Sequence, residues 1–248
     1  MANRGVWGTC MNGEVEIICY NDDKFRDQSM DVLRKSCFLN EMVCIGSEVN
    51  LDLQAQKDLE QLCLDVARSG VSLIARHIST DRIVSVAFNV LQTPSARGDL
   101  NYFESFRDDH CVSESSKNLM DYMIIMDSKV NLFEKFNVDC LMEVTFLATL
   151  PEYEGKGIAT KLVSCSVEFA RLLKAGQAFE NLPEDAKLKR PKLVTALFTS
   201  KISQRVGTKN GFTQIMEVPH HEFSFRDKTY AERIGSEHPT SILVVKEI

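Results

Sequence analysis

The chain has 248 residues, 44% hydrophobic and 26% charged, which is enough to bury a full core and ordinary for a globular protein. Its net charge of −6 argues against nucleic acid as a partner, since phosphate backbones select basic stripes. No apolar run approaches the ~20 residues of a membrane span, and the eight cysteines include no Cys-x-x-Cys pair, which argues against zinc and for reduced, buried thiols.

The opening MANRGVWGTCMNGE lacks the apolar core of a secretory signal, so a cytoplasmic protein is expected. Residues 1–13 show no periodicity and read as an irregular leader, with Trp7 as a possible anchor. Glu14 to Tyr20 reads as a strand, and Asp22 and Asp23 can cap a helix from Lys24 to Leu39. A second helix starts at Asn50 or Asp52, turns Leu59, Leu62, Cys63, Val66 and Ala67 inward, and stops at Gly70. Val71 to Ile78 and Arg82 to Leu91 form a hairpin around Ser79-Thr80-Asp81. Thr93 to Gly98 is a loop, and Asp99 to Ser116 is polar and weakly structured. An amphipathic helix then carries Leu119, Met123, Met126, Val130 and Phe133. Residues 176–191, rich in charge and holding two prolines, read as an exposed loop. Leu193 to Phe198 is a buried strand type, a short helix ends at Asn210-Gly211, and Phe212 to Val218, Glu222 to Phe225 and Thr240 to Ile248 are strands. His220 and His221 lack partners at ligand spacing and read as exposed hairpin residues.

The stretch from Met142 to Leu173 organises the rest. An apolar strand ends at Pro151, and a turn with Gly155 and Gly157 follows. A helix then begins, with Ile158, Leu162, Cys165, Phe169 and Leu172 on one face. A glycine turn into a helix N-terminus suits an anionic phosphate. The Walker loop needs Gly-Lys-Ser/Thr, but Gly157 follows Lys156; the dinucleotide fingerprint needs Gly or Ala where Thr160 stands. The segment Glu154-Gly-Lys-Gly-Ile-Ala159 instead resembles the Arg/Gln-x-x-Gly-x-Gly/Ala signature of the GNAT acyl-CoA N-acetyltransferases, with Glu154 departing from the usual Arg or Gln. Within that superfamily the chain resembles insect-type arylalkylamine N-acetyltransferases. The matching stretches are Phe38-Leu-Asn-Glu41, Leu147 to Leu162, Leu197 to Val206 with Gly211-Phe212, and His238 to Lys246.

This resemblance implies a single α/β domain over residues 14–248, a mixed and mostly antiparallel twisted sheet flanked by helices on both faces. It implies a monomer that takes acetyl-CoA as co-substrate and a small-molecule amine as acceptor, without a metal. Backbone of Leu147, Ala148 and Thr149 would hold the pantetheine. Backbone N–H groups of Gly155, Lys156, Gly157, Ile158, Ala159 and Thr160 would hold the pyrophosphate, and a Cβ at either glycine would keep the phosphates away. Glu41 falls where the subfamily places a general base; burial beside Phe38 and Met42 would make it a better one, whereas the bland alternative is a solvated glutamate near a helix end. Thr199 and Ser203 fall on two hydroxyl positions, for a water relay and for protonating or orienting the CoA thiolate; helix capping by Thr199 or Ser200 is the alternative role. The implied acceptors are arylalkylamines such as dopamine, serotonin, tryptamine or octopamine. Polyamines or agmatine are the close variant, and a non-catalytic acyl-CoA-binding module is the reading from another class.

Overall fold

The computed structural model describes residues 5–94, 102–177, 179, 182–184 and 186–248; part of the expected loop from Thr93 to Gly98 lies outside them. Gly8–Cys10 forms strand β1 and Val15–Cys19 forms β2. The first of these corrects the expected irregular leader: it pairs with β2 from Gly8↔Ile17 to Cys10↔Val15. Trp7, just before it, stacks on Phe169 at 4.3 Å between ring centroids. Helix α1 (Asp22–Val32) is capped by Asn21, whose side chain accepts the Lys24 N–H, while Asp22 and Asp23 occupy its first turn. It continues through a π turn, Leu33–Cys37, into α2 (Phe38–Asn40). Such turns concentrate near functional sites, and this one ends four residues before Glu41. After α3 (Met42–Gly46), Asp52 caps α4 (Leu53–Ala67), which buries the expected Leu59, Leu62, Cys63, Val66 and Ala67.

The hairpin β3 (Leu73–His77) and β4 (Arg82–Gln92) forms as expected. The segment from 102 onward departs from expectation. Tyr102–His110 is helix α5, held by the buried Phe103 and Phe106. The long amphipathic helix is two helices, α6 (Glu114–Ser128) and α7 (Leu132–Phe136), because Asn131 accepts the Glu134 N–H and starts a new turn. Then come β5 (Leu141–Thr149), α8 (Ile158–Lys174), β6 (Leu193–Phe198), α9 (Lys201–Lys209), β7 (Thr213–Pro219), β8 (Ser224–Phe225), β9 (Lys228–Thr229), α10 (Tyr230–Ile234) and β10 (Thr240–Glu247).

One eight-stranded sheet runs in the order β1-β2-β3-β4-β5-β6-β10-β7, and β8 pairs with β9 apart from it. Every neighbouring pair in the large sheet is antiparallel except β5 and β6. Leu197 lines a cavity under α6, while its neighbour Phe198 meets Gly207 of α9. Successive strand residues point to opposite faces, so α6 and α9 cover opposite sides of the sheet.

Two irregularities open the sheet at its middle. The parallel β5–β6 ladder has only three registers, Leu141↔Leu193 to Glu143↔Thr195, although both strands run on. On the other side of β5, the register with β4 passes from Phe88↔Phe146 to Asn89↔Val144, which leaves Thr145 as a bulge. A bulge bends its strand. The edge of residues 144–149 that would face β6 therefore has no strand partner.

The loop carrying Glu41 is pinned from behind. A Cβ on Gly46 would come within 2.4 Å of the Tyr230 ring, and Tyr230 is buried between Tyr122 and Phe223. Neither ring can retreat, so Gly46→Ala is expected to cost about 1–3 kcal/mol of stability, measurable by denaturant unfolding; an unchanged midpoint would show that the tyrosine moves freely. Among the described residues no helix is long and apolar enough to cross a membrane.

Candidate active site

The chain after α2 turns extended at Glu41, with ψ 141°, and this lets one carboxylate do two things. One oxygen, Oε2, accepts the Cys44 N–H at 2.9 Å and so caps α3. The other, Oε1, accepts the Thr199 hydroxyl at 2.5 Å. Glu41 thus both caps α3 and meets Thr199, and it is half-buried rather than a freely solvated glutamate near a helix end. Thr199 follows the last residue of β6, on the strand that has parted from β5. The residue 158 positions earlier in sequence is therefore its direct partner.

The groups around Glu41 are held in neutral forms. Burial pushes the Tyr122 and Tyr230 phenols well up and the His220 imidazole down. A hydrogen bond with Cys37, reinforced by burial, raises the Cys44 thiol well above its usual range. His220 corrects the expectation of an exposed residue, being fully buried, while His221 is exposed. Its Nδ1 lies 2.8 Å from the His238 carbonyl oxygen, so a neutral ring carries its proton there. Nε2 then accepts from the Ser241 hydroxyl at 2.9 Å, and Ser241 accepts from the Tyr122 hydroxyl at 2.7 Å. The sequence offered no signal for this chain, whose members come from three distant elements.

Ser203 is not brought to Glu41 by any hydrogen bond. Ser200 is the N-cap of α9, and Ser203 completes its capping box, accepting the Ser200 N–H at 3.2 Å. Thr199 is free of that capping role. The Ser203 hydroxyl also lies 3.0 Å from the Ser200 carbonyl, so it must leave a local bond before it can act on a thiolate.

The glycine turn is exposed and positively dihedral, with φ of +71° at Gly155 and +80° at Gly157. A Cβ at either position would meet nothing within 4 Å. The glycines are needed here for backbone shape; the protein itself does not crowd them. Gly157 opens α8 with no side-chain cap, so first-turn N–H groups remain for a ligand. Lys156 Nζ lies 4.8 Å from the Tyr153 ring centroid, and Glu154 is exposed, so its carboxylate can turn away from the turn. These residues fit an anionic pyrophosphate, and the open β5 edge at Leu147, Ala148 and Thr149 fits an extended amide chain.

A cavity of about 680 Å³ lies on the α6 side of the sheet, between α6, α7 and strands β5, β6, β7 and β10. Met123, Met126, Leu197 and Leu243 give it an apolar wall. Glu143 stands in that wall, the charged residue of β5; burial first, then the charge of Asp127, raises its carboxyl from 4.5 to about 7. The alternation Leu141-Met142-Glu143-Val144 carried the signal for an inward carboxylate, although nothing local revealed the cavity. Met120, at 0% exposure, belongs to the core, whereas Met123 and Met126 also line this cavity.

No protein-family model matches the chain, and no curated protein matches it. Solved structures do. Arylalkylamine N-acetyltransferase 2 from Aedes aegypti has 23% identity over 94% of this chain and 99% of its own, with a TM-score of 0.74. A mosquito arylalkylamine N-acetyltransferase like 5b has 16% identity, 94% and 100% coverage and a TM-score of 0.73. A Drosophila melanogaster polyamine N-acetyltransferase, which forms N-acetylagmatine, has 14% identity, 94% and 100% coverage and a TM-score of 0.71. The α/β fold of the GNAT acetyltransferases, anticipated from the glycine turn, is the fold of this chain.

Proposed function

We propose that the chain is an N-acetyltransferase that moves an acetyl group from acetyl-CoA to a small primary amine, with Glu41 as the general base. The hydrogen bond between Glu41 and Thr199 carries this reading, because it sets a carboxylate from the turn between α2 and α3 at the end of the strand that parts from β5. Acetyl-CoA, when bound, supplies the activated acyl carbon. The neighbouring residues divide the remaining work. Backbone of Leu147 to Thr149 orients the thioester arm, and a preorganised amide there polarises its carbonyl. The N–H groups from Gly155 to Thr160 take the pyrophosphate.

An alkylamine arrives as an ammonium ion, so nitrogen attacks only after losing a proton. Glu41 takes that proton, directly or through water held by Thr199. The N–C bond forms, the C–S bond breaks, and the second proton leaving nitrogen ends on the CoA sulfur, with Ser203 the hydroxyl nearest that role. The products are the N-acetyl amine and free CoA thiol. No covalent enzyme intermediate is required. Arylalkylamines are the acceptors that the sequence resemblance implies, and polyamines or agmatine the variant.

The test is to mix the protein with acetyl-CoA and a panel of both amine types and to follow thiol release. Absence of turnover with every amine at neutral and mildly basic pH overturns the enzyme reading. Calorimetry with CoA in parallel separates that outcome from a module that binds acyl-CoA without catalysis. Gly157→Ala is expected to raise the KM for acetyl-CoA with little change in kcat. At φ +80° a Cβ strains the turn by about 1–2 kcal/mol, and that strain opposes the geometry that holds the pyrophosphate. Steady-state kinetics at saturating amine decide it, and an unaltered KM removes the turn from cofactor binding.

A further inference from the structure

We infer that Cys37 and Cys44 form an oxidisable dithiol on either side of Glu41, and that a peroxide closes it to a disulfide that disables the carboxylate between them. Closure of the dithiol does not depend on what the protein catalyses; its effect on turnover rests on the acetyltransferase reading.

Three observations carry it. The first is the path of the chain. Cys37 ends the π turn, and its carbonyl accepts the Glu41 N–H at 3.0 Å. Glu41 is extended, the chain re-enters a helix in α3, and the Cys44 N–H returns to the Glu41 carboxylate at 2.9 Å. Each cysteine is thus tied through its backbone to the same residue. The second is thiol contact. Both cysteines are free, and the Cys44 thiol is in hydrogen-bonding contact with the Cys37 thiol and with the Glu41 carboxylate. Two cysteines can be bridged without moving the backbone only where the fold already brings them together, and here it does. The third is access. Cys37 is half-buried and within reach of a small oxidant, whereas Cys44 is 4% exposed. An accessible thiol beside a resolving partner is the arrangement of redox-sensing cysteines.

The steps balance with hydrogen peroxide as the oxidant. The Cys37 thiolate attacks one peroxide oxygen, the O–O bond breaks, and a sulfenic acid and one water result. The Cys44 sulfur then attacks the Cys37 sulfur, its proton passes to Glu41, and the S–OH bond breaks. The departing hydroxide takes that proton and leaves as a second water. The two thiols have given up two hydrogens with their electrons, and the peroxide has received them. The contact with Cys37 and burial hold the Cys44 proton in place, so the neighbouring carboxylate is the base that the second step needs. In the disulfide, Cys44 has no thiol proton to offer Glu41, and α3 is bonded to the end of the π turn. The Cys44 N–H is drawn off the carboxylate, which loses the orientation that its cap and Thr199 give it together.

The experiment treats the protein with hydrogen peroxide, alkylates the remaining free thiols and digests with trypsin. Peptide 36–57 holds Cys37 and Cys44 and no other cysteine, so the closed form is that peptide, unalkylated and two hydrogens lighter. In Cys44→Ser the sulfenic acid has no partner, and dimedone is expected to trap it on Cys37. The kcat of the oxidised wild type is expected to fall about a hundredfold, the scale of displacing a reacting group by about 1 Å, and to return with dithiothreitol, as methionine oxidation would not. Cys37→Ser is expected to keep the basal kcat and to escape the loss. A peptide that stays alkylated at both cysteines overturns the proposal, as does a link from Cys37 to its other neighbour, Cys63. A closed peptide with an unchanged kcat, or an equal loss in Cys37→Ser, overturns the control of Glu41. A closed peptide in a protein that turns over no amine supports the dithiol and shows that the acetyltransferase reading alone has failed.

Discussion

Glu41→Gln is expected to lower kcat with amine substrates about a hundredfold or more, within the usual range for removing a general base, and to flatten the pH dependence of the remaining rate. The glutamine keeps the side-chain length and can still accept the Cys44 N–H, but it cannot take a proton from an ammonium ion. The same carboxylate caps α3, and where the amide turns its N–H₂ toward Cys44 the cap is lost, at a stability cost of up to about 2 kcal/mol by comparison with other caps. The two effects separate in measurement. A loss of cap alone shifts the unfolding midpoint and leaves kcat of the folded fraction unchanged. A loss of base leaves a folded protein that binds acetyl-CoA and turns over slowly. Thr199→Val supplies the companion case: it removes the 2.5 Å hydrogen bond without touching the carboxylate. Its effect on kcat is expected to be smaller, about tenfold, and to vanish in the Glu41→Gln background, because residues acting as one unit are not additive. Full, independent losses in the double variant would dissolve the pair as a functional unit.

The fold was legible where the chain's local patterns are strong. The hairpin from Leu73 to Gln92 and the turn from Pro151 into α8 follow from period, proline and glycine. Helix α5 was not legible, because Tyr102–His110 carries mostly polar residues and is held through just two buried phenylalanines. Strand β1 has three residues and no alternation; its partner, β2, decides its conformation. The same division runs through the candidate site. Glu41, Thr199 and the glycine turn each stood out by position, yet their meeting depends on a register between elements far apart in sequence. His220 was misread because its surroundings, Ser241 and Tyr122, are contributed by β10 and α6. Glu143 was visible as the charged residue of its strand, but a single strand says nothing about whether the space opposite is filled. Capping and periodicity are properties of neighbours along the chain; cavities and buried networks are properties of neighbours in space.

Asp58 tests how far the start of α6 depends on one such network, and Asp58→Asn is expected to cost about 3 kcal/mol at neutral pH, at the upper end for hydrogen bonds to a charged group. Asp58 lies within α4 and is 6% exposed. Its Oδ2 accepts from the Val112 N–H at 2.8 Å, the Ser113 N–H at 2.8 Å and the Ser116 hydroxyl at 2.6 Å, while Oδ1 accepts from Gln54 Nε2 at 2.8 Å. Asp52 reaches the same place, accepting the Ser113 hydroxyl at 2.5 Å. Two carboxylates of one helix thus hold the start of α6. Asparagine puts an N–H₂ where one of these oxygens accepts, so at least one buried donor loses its partner. For a chain of this length, each kcal/mol shifts the midpoint by about 2–4 °C, which gives a fall of about 10 °C. The sign with pH is fixed by the titration. Burial pushes the Asp58 carboxyl up, but its hydrogen bonds from Ser116, Ser113, Gln54 and Val112 outweigh this and hold it below the usual range. For Asp52 the bond from Ser113 leads the lowering. A carboxylate lowered on folding adds stability above its unfolded value of about 3.9 and loses it as the pH falls through the folded value. The difference between wild type and Asp58→Asn is therefore expected to be full at pH 7 and to shrink in the acid range below pH 4. A constant difference down to pH 2 would mean that shape, not charge, sets the cost.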